Sequence, residues 1–194
     1  MARSKVYGDS RNPFEVDAQD RSTHVRLRMY PDGGVARLRV HGEARPDPRF
    51  LRLGLLDLAA LENGGLVTDC SNRFYSSPQN LIFPGIAKVM GDGWETARRR
   101  DGANDWVQIR LAGAGVVKMI EVDTSYFLGN SPGAAKVTGI APDGTEAALL
   151  PRTGLLPDTR HRFLVDPGPA VDSVRLDIYP DGGLARLRVW GELT

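Results

Sequence analysis

One internal repeat constrains this chain more than any other feature. Residues 24–43 read HVRLRMYPDGGVARLRVHGE, and residues 173–192 read SVRLDIYPDGGLARLRVWGE. At an offset of 149 positions, 15 of these 20 residues are identical. The register extends backward, with Phe14-Glu15-Val16-Asp17 falling on Phe163-Leu164-Val165-Asp166. Residue 1 therefore corresponds to residue 150, and the first copy has only the last part of what the second copy has in full. A few β-strands without their sheet leave unpaired edges and an uncovered apolar face. The repeat thus predicts either a natural start upstream of Met1, the option the sequence favours, or a leftover segment that docks on the second domain or on another chain.

Around the repeats, the chain reads as many short elements. Residues 1–45 are the truncated copy, 46–63 a connector and 64–194 the complete copy. Ala44-Arg45-Pro46-Asp47-Pro48 is a proline-stiffened linker. Leu55–Asn63 reads as a short helix that Gly64-Gly65 would stop. In 173–191, Val174, Leu176 and Ile178 alternate with Arg175, Asp177 and Tyr179. After Pro180-Asp181-Gly182-Gly183, Ala185, Leu187 and Val189 alternate with Arg186, Arg188 and Trp190. That pattern predicts a hairpin with one apolar face and one face carrying Arg175, Arg186 and Arg188. Further strands are expected at Leu66–Cys70, Trp106–Leu111, Val116–Val122, Ala135–Ile140, Ala147–Leu150 and Arg162–Val165. The fold class is all-β, an antiparallel sandwich or jelly roll, with a partial second copy at the N-terminus.

Composition removes several classes of function. Lys and Arg number 25 against 24 Asp and Glu, so nothing in the overall charge points to nucleic acid or an anionic membrane surface. No apolar run nears the roughly 20 residues that cross a bilayer. Met1-Ala2-Arg3-Ser4-Lys5 is followed by no apolar stretch, so no secretory signal is expected. The single cysteine, Cys70, excludes an internal disulfide and fits a reducing cytoplasm. One cysteine and three scattered histidines do not make a structural zinc site.

Four segments are too polar to be core: Met90–Arg100, Asn104–Trp106, Glu121–Pro132, and Leu149–Arg152 leading to His161-Arg162-Phe163. With the repeated Tyr-Pro-Asp-Gly-Gly-x-Ala-Arg-Leu-Arg, they resemble the allantoicase family. The Gly91-Asp92-Gly93-Trp94-Glu95-Thr96 run, the Glu121-Val122-Asp123-Thr124…Gly129-Asn130-Ser131-Pro132 run and the Ile178-Tyr179-Pro180-Asp181-Gly182-Gly183 run stand in the family's order. The resemblance covers residues 64–194 and the tail of the first copy. It implies two tandem jelly-roll (galactose-binding-like) repeats and hydrolysis of allantoate to ureidoglycolate and urea, in allantoin and purine breakdown. The chain departs from the family in lacking most of one repeat, in Asn104 where histidine is frequent, and in Ser71-Asn72 where Ser-Asp is frequent.

The chemistry of such a reaction selects residues independently. Allantoate carries one carboxylate and two ureido groups on one carbon. Urea release needs an anion clamp, an acid for the leaving nitrogen and a base for water. Arginine suits the carboxylate because its planar fork donates two parallel hydrogen bonds. Arg98, Arg99 and Arg100 are the first clamp candidates, and an extended segment would put Arg98 and Arg100 on one side and Arg99 on the other. Arg186 and Arg188 share one face of a strand. The expected proton-transfer groups are Glu95, Asp123 and His161. Glu95 is favoured because a carboxylate beside an indole can be pushed up by desolvation. Asp92, Trp94, Asp105, Thr124, Asn130 and Tyr179 are expected to bind substrate alongside the arginines. No cofactor is predicted. A divalent ion is left open, because Asp92, Glu95, Asp105 and Asp123 are hard oxygen ligands at spacings that do not demand one.

The expected function is therefore cytoplasmic allantoate hydrolysis, with a homo-oligomer or a missing first-repeat segment as partner. Two rivals remain at the level of sequence. One is a non-catalytic module that binds a small ligand or carbohydrate. The other is an inactive fragment, or one half of a split enzyme.

Overall fold

Among the described residues ten strands form, all within residues 42–194: β1 (Leu56–Asp57), β2 (Leu66–Cys70), β3 (Trp94–Glu95), β4 (Asp105–Asp123), β5 (Ala134–Ile140), β6 (Glu146–Gly154), β7 (Arg160–Leu164), β8 (Val171–Tyr179), β9 (Gly183–Leu184) and β10 (Arg186–Leu193). This computed structural model describes residues 1–18, 20, 22, 24–43 and 45–194. It divides into two units, Met1–His41 and Gly42–Thr194. Ala44, the first residue of the expected linker, lies outside the described residues.

The organising element is β4. Its 19 residues exceed the usual strand length, and its two ends have different neighbours. Asp105–Arg110 lies between β2 and β8, whereas residues 115–123 pair with β10 and, toward their end, with β7. The sequence pattern predicts two strands here. Ala112-Gly113-Ala114-Gly115 joins them without a break, because small residues let the ladder continue through a register shift between Arg110 and Gly115. β5 and β6 extend the β8 side, β1 extends the β10 side, and every pairing is antiparallel.

The expected hairpin does not form. β8 pairs with β4 and β5, and β10 pairs with β1 and β4. Val174, Leu176 and Ile178 nevertheless belong to one core cluster with Leu187 and Val189. Alternation records only which side of a strand faces the core. It reads the same for two paired strands as for two strands facing each other across a sandwich. The arginine face divides accordingly. Arg175 lies over the Trp106 ring at 4.3 Å and pairs with Asp177, away from Arg186 and Arg188 on β10.

The expected helix over Leu55–Asn63 is also replaced. Leu56 and Asp57 pair with Gly191 and Trp190, and only Leu61–Asn63 turns, as a 3-10 helix closed by Gly64 at φ 104°. Strand pairing and burial of Leu58, Ala59 and Ala60 override the local helical pattern. Gly65 cannot carry a side chain, because a Cβ there would stand 1.9 Å from the Ala59 carbonyl oxygen.

In Met1–His41 the described residues form no strand or helix. Val25, Leu27, Met29, Leu38 and Val40 are all exposed, whereas their counterparts Val174, Leu176, Ile178, Leu187 and Val189 are fully buried. Strands need partners more than they need propensity. The turn is different, because Gly33 and Gly182 take nearly the same backbone angle, φ 140° and 132°.

Candidate active site

The polar segments meet around Pro180–Arg186, the crossover between β8 and β10. The Asp105 N–H donates to the Pro180 carbonyl at 3.0 Å, and the Thr96 N–H donates to that of Gly182 at 3.1 Å. The Gly183 N–H donates to the Asn130 carbonyl at 2.8 Å, and the Ala185 N–H to that of Asp123 at 2.7 Å. The Arg99 N–H donates to Asp181 Oδ2 at 2.7 Å. Two glycines permit this convergence. A Cβ on Gly182 would lie 2.5 Å from the Asn130 carbonyl oxygen, and one on Gly183 would lie 1.9 Å from the Phe127 ring.

Glu95 and Asn130 face each other across this crossover. Asn130 Nδ2 donates to Glu95 Oε1 at 2.7 Å, and both residues are half-buried. Among the described residues the other carboxylate oxygen of Glu95 makes no hydrogen bond. The Glu95 backbone is fixed by Gly183 across β3 and β9 and by the Ser76 hydroxyl, which accepts the Glu95 N–H at 2.8 Å. The adjacent Trp94 is fully buried in the core, and its Nε1 donates to the Asn72 carbonyl at 2.9 Å. The ring anchors Glu95 from below and is closed to a ligand.

Asp105 is fully buried, and its Oδ1 accepts from Arg99 Nη1 at 2.7 Å and from the Ser71 hydroxyl at 2.8 Å. Its Oδ2 is buried with no hydrogen-bond partner among the described residues. Arg99 also pairs with Asp101. The alternation expected for Arg98, Arg99 and Arg100 is present, but the residue turned inward is Arg99, and Arg98 and Arg100 are exposed.

Asp123 and Thr124 close β4 and are fully engaged. Asp123 Oδ1 accepts from Ser125, and its Oδ2 lies 3.4 Å from Arg160 Nε. Thr124 Oγ1 accepts the Thr159 N–H at 2.9 Å and lies 2.7 Å from the Leu156 carbonyl. His161 Nε2 accepts the Leu156 N–H at 2.9 Å, which leaves Nδ1 as the donor toward the Val122 carbonyl at 3.3 Å. With both nitrogens held by backbone, this imidazole is part of the scaffold as it stands.

Arg186 and Arg188 are buried on the outer side of β10, beneath the loop from Phe83 to Asp92. Arg186 Nη1 donates to the Asp92 carbonyl at 2.7 Å and Arg188 Nη2 to that of Phe83 at 2.7 Å. Burial, and then the neighbouring Arg188, push the Arg186 guanidinium below its ordinary value. The Asp92 carboxylate caps its own loop by accepting the Lys88 N–H at 2.8 Å.

A family model described as "Allantoicase repeat" matches residues 1–45 and 56–194. The chain belongs to the allantoicase family. It is 67% identical over its full length to a "probable allantoicase" of Nocardia farcinica, of which it spans 59%. The crystal structure of allantoicase from Saccharomyces cerevisiae matches 84% of this chain and 49% of its own at 38% identity, with a TM-score of 0.76. The chain therefore spans between half and three-fifths of the allantoicases it resembles. The family 32 carbohydrate-binding module of Streptococcus pneumoniae EndoD matches 69% of the chain with a TM-score of 0.53 at 12% identity, a likeness of fold alone.

Within this allantoicase-family chain, Glu95, Asn130, Asp92, Asp105, Asp123 and Arg186 are tied to one crossover. Tyr179 stands at its edge, stacked under Arg152 at 4.1 Å. Tyr179 lines a shallow polar cavity of about 270 Å³ with Lys136, Thr138, Glu146, Arg175 and Asp177. A second cavity, about 620 Å³, lies between Pro48–Gly54 and the C-terminal residues. Neither includes Glu95, Asp123 or Arg186. Among the described residues no three His, Cys, Asp or Glu side chains converge to hold a metal ion, so Asp92, Glu95, Asp105 and Asp123 form no joint ligand set. The network under the crossover is built by Arg99, one of the three clamp candidates of the sequence, with Asn72 and Asp181. The sequence offered Asp181 only as a turn residue beside Tyr179 and gave Asn72 no role at the site.

Proposed function

We propose that this chain contributes one half of an allantoate-hydrolysing site, releasing urea and ureidoglycolate in the cytoplasm, with Glu95 as the proton-transfer group. The observation that carries the reading is the state of Glu95. One carboxylate oxygen is held by Asn130, the other has no hydrogen-bond partner among the described residues, and the backbone on both sides is pinned to the Gly182-Gly183 crossover. A carboxylate held this way has a fixed direction for giving or taking a proton. Asn130 Oδ1 remains as an acceptor for ureido N–H groups. The single thiol, Cys70, is free and partly buried, in keeping with a reducing compartment.

The half-site reading rests on the first repeat. The exposed apolar side chains of residues 25–40 match buried ones in β8 and β10, so strands resembling β4 and β5 are the natural cover for them. We infer that a polypeptide carrying such strands, or a second copy of this chain, completes the assembly.

The test is urea release from allantoate by the purified chain, alone and mixed with a fragment carrying a whole first repeat. Release that falls at least a hundredfold in Glu95→Gln supports the reading. Release from the mixture only supports the half-site form. Saturable binding without urea from either preparation overturns it in favour of a binding module.

A further inference from the structure

Arg186 and Arg188 are 5% and 8% exposed and stand side by side on β10. Two buried guanidiniums call for two counter-charges. Arg188 has one, Asp57 Oδ2 at 3.3 Å. Among the described residues no carboxylate forms an ion pair with Arg186. What fills the gap is backbone. The Gly85 carbonyl oxygen accepts from both arginines, from Arg186 Nε at 3.2 Å and Arg188 Nη2 at 2.6 Å. One neutral oxygen thus occupies a position between two cations that suits an anionic oxygen better.

The covering loop is lightly held. From Phe83 to Asp92 only Ala87 is buried and Asp92 partly so, while Ile86, Lys88 and Val89 are exposed. Gly85 sits at φ 71°, and a Cβ built there would touch nothing within 4 Å. Apart from Ala87, which packs on Phe127 and Ala185, and a long hydrogen bond from Asn80 to the Gly91 carbonyl, the loop rests on the arginines through carbonyl contacts that a ligand carboxylate can outcompete, since a charge-assisted hydrogen bond is roughly twice as strong as a neutral one.

We propose that Arg186 and Arg188 form a carboxylate-binding fork under a closed lid, residues 83–92, with the Gly85 carbonyl oxygen standing where an oxygen of the bound acid goes. The lid must lift for the acid to enter, so the closed state competes with ligand. The identity of the acid as a ureido acid rests on the function proposed above, but the fork and lid do not.

Two measurements test this, with N-carbamoylglycine and allantoate as probes. In the unaltered chain, saturating probe should speed trypsin cleavage after Lys88, mapped by mass spectrometry, while leaving cuts elsewhere in residues 42–194 unchanged. Gly85→Ala strains the closed lid alone, because a left-handed φ disfavours any side chain. It should tighten binding of both probes about fivefold by raising the open fraction. Unchanged or weaker binding in a folded Gly85→Ala chain, no change at Lys88, or no binding of either probe at millimolar concentration overturns the fork and lid. Tighter binding in Gly85→Ala, with no urea released even when the fragment carrying a whole first repeat is added, leaves the fork standing and removes the hydrolytic reading. Urea release with affinity indifferent to Gly85→Ala does the reverse.

Discussion

Asn130 Nδ2 lies 2.7 Å from Glu95 Oε1 and supplies the only side-chain hydrogen bond to that carboxylate among the described residues. The two come from segments 35 residues apart, brought together by the Gly182-Gly183 crossover. Replacing the amide by an acid turns a donor into a second negative charge at contact distance. Asn130→Asp should cost about 1–2 kcal/mol of stability at pH 7, and most of that loss should vanish near pH 4, where the pair shares a proton. Urea unfolding at the two pH values checks this. A loss equal at both would mean that the two side chains do not interact.

Leu27 and Leu176 hold the same place in two copies of one motif, 50% and 0% exposed respectively. Leu176→Ala should cost about 3 kcal/mol by opening a hole in the core of residues 42–194. Leu27→Ala should leave the unfolding midpoint of that unit unchanged. Thermal unfolding of the two variants decides. Equal losses would mean that residues 25–40 are packed in solution.

How far sequence reached depended on the kind of signal. The alternation in 174–178 and 185–189 correctly gave strands and their inward side chains, because period 2 records burial directly. It gave the wrong partner, since Val174 and Leu187 face a common core from either pairing scheme. Leu55–Asn63 was misread because its local spacing suits a helix, while the deciding contacts are with Trp190 and Gly191, far along the chain. At the candidate site, the polar loops do converge on one crossover, with Glu95 among them. Trp94, Thr124 and His161, expected to touch substrate, are bonded to backbone in this structure. An indole, a hydroxyl and an imidazole serve as well to tie backbone as to hold a ligand, and only coordinates count their partners.

The turn glycines give a paired prediction. Gly182→Ala faces both a left-handed φ of 132° and the Asn130 carbonyl at 2.5 Å, and should cost about 2–3 kcal/mol. Gly33→Ala has nearly the same φ but nothing within 4 Å, and should not move the unfolding of residues 42–194. Because the first variant pushes directly on Asn130, it should also weaken the Glu95 contact. Denaturant unfolding of both variants is the measurement, and a mild Gly182→Ala would show that the crossover yields easily.

Asp57 ties β1 to β10. Its Oδ1 accepts the N–H groups of Ala59 and Val189 at 3.1 and 2.9 Å, and its Oδ2 meets Arg188. Burial raises its carboxyl above the ordinary value, against the opposing pull of the Val189 N–H, Arg188 and the Ala59 N–H. The folded chain therefore holds this proton more tightly than the unfolded chain does. The stability contributed by Asp57 is greatest below the ordinary carboxylate value, about pH 4, and declines as pH rises through the raised one. Asp57→Asn does not titrate. The stability of the parent relative to that variant should thus shift in the parent's favour as pH falls from 7 toward 4, whatever its sign at neutrality. Urea unfolding of both proteins across that range supplies the comparison. A shift in the opposite direction would mean that Arg188 and the two N–H donors outweigh burial and hold the group ionised.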